Sequence, residues 1–352
     1  AVAGVWLWGR FLPAGLSAVP LEFWVVAALI VSASVGVLLA KTRLSALILM
    51  GLAGFGLTVA FVLLGAPDLA LTQLLIETVS IILFLSVFRY LPALSRYYRS
   101  RRRAAADGLL AAAVGVTVFT ALLAVQLPLG ARIKDYFLSQ SYELGGGLNV
   151  VNVLLVDFRG YDTMGEIVVL AIVGVAIFSL LRLRARTPPL TVPGRGRWGA
   201  ASSRPEIFFS TLAKPIVYGL IAIAIHFFLR GHNAPGGGFI AGLVVAVAAL
   251  LYRMALRERL LNFPPRLLIP WGLLLAMLTG AVPLLLGEAF LKSAYGYLTW
   301  PLIGEFEWAT AVVFDLGVLL VVVGGTLTII DVLAERVRGV PVHREPLGPR
   351  KP

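Results

Sequence analysis

Five ionisable side chains interrupt stretches that are otherwise apolar: Glu77, Glu166, Lys214, His226 and Asp315. Carboxyl, amine and imidazole groups take up and release protons, and inside a membrane such groups line ion paths or proton relays. Glu77 is the most telling. In GAPDLALTQLLIETVSIILFLSVFRYL, residues 65–91, it is the sole charge between Asp68 and Arg89. A spanning helix takes about 20 apolar residues at a rise of about 1.5 Å each, so Glu77 falls near the bilayer midplane. A carboxylate there is costly and faces protein or water rather than lipid. It reads as a group on an ion or proton path; the plainer alternative is a hydrogen bond between packed helices.

Cation chemistry makes a different demand, since a hard cation needs several oxygen ligands converging at one place. Asp157, Asp162 and Glu166 form the densest acidic cluster, and Asp162 and Glu166 share a helix face at i, i+4. These two are candidate ligands for a transient Na+, although Asp162 alone would also serve as a helix N-cap. Lys214 and Asp315 are candidate relay groups or, equally, an interhelical ion pair. His226 lies in the outer third of its span. The loop GHNAPGGGF, residues 231–239, is the other unusual stretch. Pro235, Gly236, Gly237 and Gly238 permit a tight backbone path, and His232 can titrate near neutrality or simply be solvated in a compact hairpin. The triple glycine lacks the lysine of a phosphate-binding loop.

These groups need helices to hold them, and the composition supplies little else. Of 352 residues 59% are hydrophobic and 14% charged, with a mean hydropathy of +0.92. That balance describes an all-α, polytopic membrane protein. Cysteine is absent, which excludes disulfides, thiol chemistry and iron–sulfur ligation; three histidines without ligand spacing argue against a zinc site. No catalytic motif and no cofactor is expected. The chain opens at Ala1 without a methionine or signal pattern, as a processed chain or a piece of a longer polypeptide would.

Nine spans are expected, at about 22–40, 44–64, 67–88, 107–126, 162–183, 206–229, 237–256, 266–287 and 308–331. An aromatic lead-in at 1–20, a surface helix within RIKDYFLSQSYELGGG and a half-helix at 148–157 broken at Arg159-Gly160 complete the outline. Domain boundaries fall at 1–106 (a three-helix module), 107–183 (a two-helix module with the half-helix), 184–205 (a basic Pro/Gly/Arg linker), 206–335 (a four-helix domain) and 336–352 (a polar tail). The net charge of +12 does not imply a nucleic-acid partner, because the basic residues lie in short loops between spans. Of the 30 Lys and Arg, most fall in alternate loops, whereas Arg10, Arg132, Lys134, Arg159, Arg230 and Lys292 share the other side. By the positive-inside rule the N-terminus is outside and the C-terminus cytoplasmic.

Four motifs carry a family resemblance. GAPDLALTQLLIETVSIILFL resembles the three-helix module near the C-terminus of the A subunit of Mrp-type multisubunit Na+/H+ antiporters, and NVVNVLLVDFRGYDTMGEIVVL resembles the two-helix module that follows it. LRGHNAPGGGFIAGLV and VVFDLGVLLVVVGGTLTIID resemble the B subunit of the same complexes. The resemblance implies an ion-pathway and assembly subunit of a cation/proton antiporter, with Na+, H+, the bilayer and other membrane subunits, antiporter-like ones included, as partners. It also implies translocation roles for Glu77, Asp162 and Glu166, and places His232 and Pro235 in the loop signature of the B-type module. Related modules in membrane-bound hydrogenases and complex I keep a redox-driven pump open as an alternative, and a non-conducting scaffold is another.

Overall fold

The computed structural model describes residues 20–88, 100–125, 133–184, 207–256, 258–300 and 304–338. The lead-in before residue 20, the basic loop after Phe88, most of the linker and the tail from 339 lie outside these residues. Apolar runs surrounded by hydrocarbon must satisfy backbone groups within the segment, so they become helices. In chain order these are α1 (Leu21–Leu39), α2 (Arg43–Leu63), α3 (Pro67–Phe88), α4 (Arg101–Val125), α5 (Ile133–Gly145), the one-turn α6 (Val150–Val153), α7 (Gly160–Arg184), α8 (Ile207–Arg230), α9 (Gly238–Leu256), α10 (Leu268–Leu285) and α11 (Thr310–Arg338). Nine helices among the described residues are long and apolar enough to cross a bilayer: all but α5 and α6. The chain is a multi-pass membrane protein.

The expected spans match these helices closely, with two extensions. α4 begins at Arg101 and not near 107, and α11 continues to Arg338. Both extensions are charged helix-forming sequence that can stay helical beyond the hydrocarbon. The half-helix is α6 running into a π-helical turn, Leu154–Phe158, closed by Arg159 N–H donating to Leu154 O at 2.7 Å. Thr163 Oγ1 then donates to Leu155 O at 2.9 Å, which satisfies a carbonyl that the break at Arg159 exposes. One element departs from the all-helical expectation. Strands β1 (Tyr295–Trp300) and β2 (Gly304–Ala309) form an antiparallel pair between α10 and α11, in register from Tyr295 with Ala309 to Trp300 with Gly304. It lies on α5, where Tyr295 Oη donates to Glu143 O at 2.9 Å.

The residues sort into two compact units, 1–56 with 91–136, and 57–90 with 137–352. In the first, α1 and α2 approach closely: a Cβ on Gly56 would lie 2.7 Å from Ile30 Cγ1. The second is built around α11, whose Phe314, Val318, Val321 and Val322 are almost fully enclosed and pack with Ile167 of α7, Leu243 of α9 and Ile269 of α10. Helices in lipid lack a hydrophobic drive toward each other, so small residues at contact points matter. At the α10–α11 crossing a Cβ on Gly317 would stand 2.7 Å from Gly272 O, and one on Gly272 would stand 2.6 Å from Gly317 O. At the far end of α11, Asp331 pairs with Arg253 of α9 and with Arg259, the latter at 3.3 Å.

Gly317→Val is expected to cost about 1–3 kcal/mol of packing, read as a lower thermal midpoint of the purified protein-containing complex. Gly219→Val, where an added Cβ meets nothing within 4 Å, is expected to leave the midpoint in place.

Candidate functional site

Between Arg230, the last residue of α8, and Gly238, the first of α9, the chain reverses in seven residues. Gly237 has φ +98, which an L side chain rarely adopts. A Cβ on Gly238 would strike the Asp315 carbonyl oxygen, and one on Gly231 would strike the backbone of Gly237. Glycine is what lets this loop fold on itself and lie against α11.

Such a loop carries backbone groups that need partners, and side chains from three other elements provide them. Asp68, in the first turn of α3, accepts from Gly236 N–H through Oδ1 at 2.9 Å. Asn149, the N-cap of α6, accepts from Asn152 N–H and donates through Nδ2 to Gly231 O and Ala234 O, both at 3.1 Å. Its own N–H donates to His232 O at 3.1 Å. Leu148 N–H donates to Asn233 Oδ1 at 3.1 Å, and Arg230 Nε donates back to Pro235 O at 2.9 Å. His232 is buried, with Nε2 3.0 Å from Gly145 O.

Asp315 joins the same cluster from α11. It is 7% exposed, takes a backbone hydrogen bond from Gly238, and accepts from Asn152 Nδ2 at 3.4 Å. Asp157, on the π-helical turn, accepts from Ser293 N–H through Oδ1 at 3.0 Å. Burial pushes the Asp157 carboxyl above the usual carboxylate range, and outweighs the opposing influence of Ser293, His232 and Lys292. The cluster thus gathers three carboxylates, one imidazole and several fixed amide dipoles in an otherwise apolar setting. Groups so placed can hold a proton or a cation without rearranging solvent.

The structure therefore brings together Asp68, Asp157, His232, Asp315 and the Pro235–Gly238 turn. It does not bring in the other candidates. Glu77 sits nine residues after Asp68 on α3, about two and a half turns on, so it occupies the opposite face. Its Oε1 is enclosed and has no hydrogen-bond partner among the described residues. Asp162 is in the first turn of α7, where it pairs with Arg159 at 2.9 Å; Glu166, one turn on, is exposed. Lys214 is exposed near the opposite end of α8 from the loop. The Lys214–Asp315 ion pair is not formed: roughly 16 residues of helix, about 24 Å, separate Lys214 from Arg230 beside the cluster. His226 is exposed on α8, 3.4 Å from Arg230 Nη1. The solvated-hairpin reading of His232 is corrected too, since the ring is buried. Among the described residues no three His, Asp or Glu side chains gather as a metal site.

Sequence reasoning missed Asn149, Asn152 and Arg230. The two asparagines stand at a cap spacing just before an apolar run, a signal present in NVVNVLLV. Arg230 was counted only as a loop charge.

Comparison with known proteins divides the chain in the same order as its motifs. Residues 28–93 match the MbhD family model, described as the D subunit of MBH, and residues 100–195 match MbhE, the E subunit of MBH. Residues 208–328 match a domain related to the MnhB subunit of Na+/H+ antiporter. A Rhizobium meliloti protein, named as a probable K(+)/H(+) antiporter A/B subunit, is 38% identical over 84% of this chain and 32% of its own length. The Mrp complex from Dietzia sp. DQ12-45-1b superposes with a TM-score of 0.77 at 32% identity, over 90% of this chain and 35% of the matched chain. The three family models thus follow one another along the chain without overlap. The A subunit of a Bacillus subtilis Na(+)/H(+) antiporter matches over 50% of this chain and 22% of its own length, at 40% identity. The chain spans about a third or less of the length of these relatives.

The cluster draws on each matched segment: Asp68 from the first, Asn149, Asn152 and Asp157 from the second, the loop and Asp315 from the third. Asn149→Leu is expected to leave Gly231 O and Ala234 O without these donors, at roughly 1–3 kcal/mol for each buried group. A thermal midpoint unchanged from wild type would show that the amide does not hold the loop.

Proposed function

We propose that the chain is a membrane component of a multisubunit monovalent cation/proton antiporter in a bacterial or archaeal plasma membrane, a transporter part and not an enzyme. It contributes carboxylates to the ion and proton route and contacts to the other membrane subunits. The observation that carries this reading is the convergence of three separately matched segments on one polar cluster. A scaffold needs acceptors for the Gly236, Ser293 and Gly238 N–H groups, but neutral amides would supply them without the desolvation cost of three carboxylates.

In this reading Asp68, Asp157, His232 and Asp315 form the inner part of the route, Glu77 serves it from the opposite face of α3, and Asp162 and Glu166 from a face of α7 that other subunits cover. Lys214 and His226 belong to the same outward-facing set. Asp162 and Glu166 present oxygens to Na+, with Arg159 the competitor the cation must displace. Na+ is the ion in the name of the B. subtilis relative and K+ that in the name of the R. meliloti one, so the assay must compare both. The modules are taken as 1–106, 107–183 and 206–335, joined by the basic linker 184–205 and followed by the tail 336–352. The loop end of α8 and α9 faces outside, with the Arg253–Asp331 end toward the cytoplasm.

Two measurements test this. Glu77→Gln hydrogen-bonds but cannot titrate; in the assembled complex it is expected to reduce cation-driven proton movement in everted vesicles about a hundredfold. Glu166→Gln is expected to weaken the cation dependence, and Glu166→Asp less so. Full transport by an assembled Glu77→Gln complex would remove that residue from the route. Orientation is checked separately, because a chain without cysteine gives a clean background. Leu298→Cys, at an exposed position on β1, is expected to react in intact cells with a membrane-impermeant thiol reagent, and exposed Asn262→Cys only after lysis. The reverse pattern would invert the topology.

A further inference from the structure

Nδ1 of His232 is a buried ring atom of the cluster that none of its hydrogen bonds explains. His232 is 6% exposed, and its Nε2 lies 3.0 Å from the carbonyl oxygen of Gly145. A carbonyl only accepts, so Nε2 carries the hydrogen and Nδ1 of the neutral ring presents a lone pair. Nδ1 is enclosed and has no partner among the described residues. A buried acceptor left without a donor costs about 1–3 kcal/mol. The loop backbone is fixed on both sides, by Asn149 N–H on His232 O and by Asn149 Nδ2 on Gly231 O. On the imidazole side, a Cβ on Gly147 would stand 3.0 Å from Nε2, so the segment after α5 closes over it.

We propose that His232 Nδ1 is the atom at which the cluster takes up a proton, which makes the loop between α8 and α9 the sensor of pH on its side of the membrane. The inference rests on the antiporter reading above and assigns one proton step within it. The step is a simple addition: the Nδ1 lone pair binds H+, no bond breaks, and Nε2–H stays on Gly145 O. The imidazolium so formed has Asp157 as its electrostatic partner from the π-helical turn. Asp68 of α3, Asp315 of α11, Arg230 of α8 and Lys292 between α10 and β1 are the other charged groups of the surrounding elements. The two carboxylates favour the charged ring and the two cations oppose it. Release of the proton restores the lone pair, so the group can cycle.

The glutamine variant separates the two ring nitrogens, because its amide reaches about as far as Nε2 and can still donate to Gly145 O but offers nothing at Nδ1. Cation-dependent proton movement is measured in right-side-out vesicles carrying the complete complex, with the outer solution varied from about pH 5 to 8, where imidazole ordinarily changes charge. Wild type is expected to show a titration step in this range and His232→Gln to lose it, with assembly confirmed on native gels. An assembled His232→Gln complex that keeps the wild-type profile overturns the proposal. Asp157→Asn, which keeps an acceptor for Ser293 N–H, decides the matter if the glutamine variant does not assemble. It removes the facing negative charge, so the step is expected at lower pH, and an unmoved step overturns the assignment. A wild-type complex without any cation-dependent proton movement would instead contradict the antiporter reading itself.

Discussion

The loop between α8 and α9 depends on donors and acceptors that it does not itself contain. Away from water, each unpaired backbone group costs free energy comparable to a substantial part of a domain's net stability, about 5–15 kcal/mol in total. Gly231 O, Ala234 O and Gly236 N–H are paired by Asn149 and Asp68, from segments more than 80 positions away in sequence. The tight turn is possible because glycines remove the side chains, and stable because other modules supply the polar partners. Each condition is useless without the other. This is why the glycine-rich loop, the capped half-helix and the acidic start of α3 occur together in one chain.

The same dependence explains why the break before α7 is built as it is. Asn152, on α6 before the π-helical turn, faces Asp315, while Asp157, on the turn itself, reaches Ser293. The π-helical turn shifts the register of the residues it contains, which turns Asp157 away from the direction Asn152 takes. Insertions of this kind recur at functional sites because they redirect side chains at a modest cost in backbone geometry. Here that cost is offset locally by Thr163 and Arg159 N–H, which cover the carbonyls of Leu155 and Leu154.

Much of this was legible in the residues and some of it was not. The spans follow from apolar run length alone, which is a one-dimensional property, and the half-helix break follows from Arg159-Gly160. The hairpin was missed although YGYLTW and GEFEWA alternate with a period of two, because a long apolar count on either side dominates the reading of a membrane chain. Depth along a span was readable for Glu77, Glu166 and Lys214, since depth is position times rise. The side each residue faces was not, because facing depends on which neighbour a helix chooses. The Lys214–Asp315 ion pair, left open as one of two readings, is not formed, and Glu77 lies about two and a half turns from Asp68, on the opposite face of α3. Asn149 and Asn152 escaped notice because uncharged amides do not stand out in a search for charges, yet they make more of the cluster's hydrogen bonds than any carboxylate does.

Two kinds of intramembrane charge follow from this geometry, and they place different demands on their surroundings. Asp68 and Asp315 are met by donors within the chain, so their environment is complete in these modules. Glu166 and Lys214 are exposed on their helices, and the Glu77 oxygen is enclosed without a donor among the described residues. A charge or an unpaired carboxyl oxygen in hydrocarbon is expensive, so the outward set needs protons, water, headgroups or residues of other chains to offset it. Lys214, near a helix end, can reach the interface along its own stem. Glu77, at mid-span, cannot. The Asp68–Asp315 cluster is thus satisfied from within the chain, whereas the charges on α3 and α7 depend on whatever covers those helices.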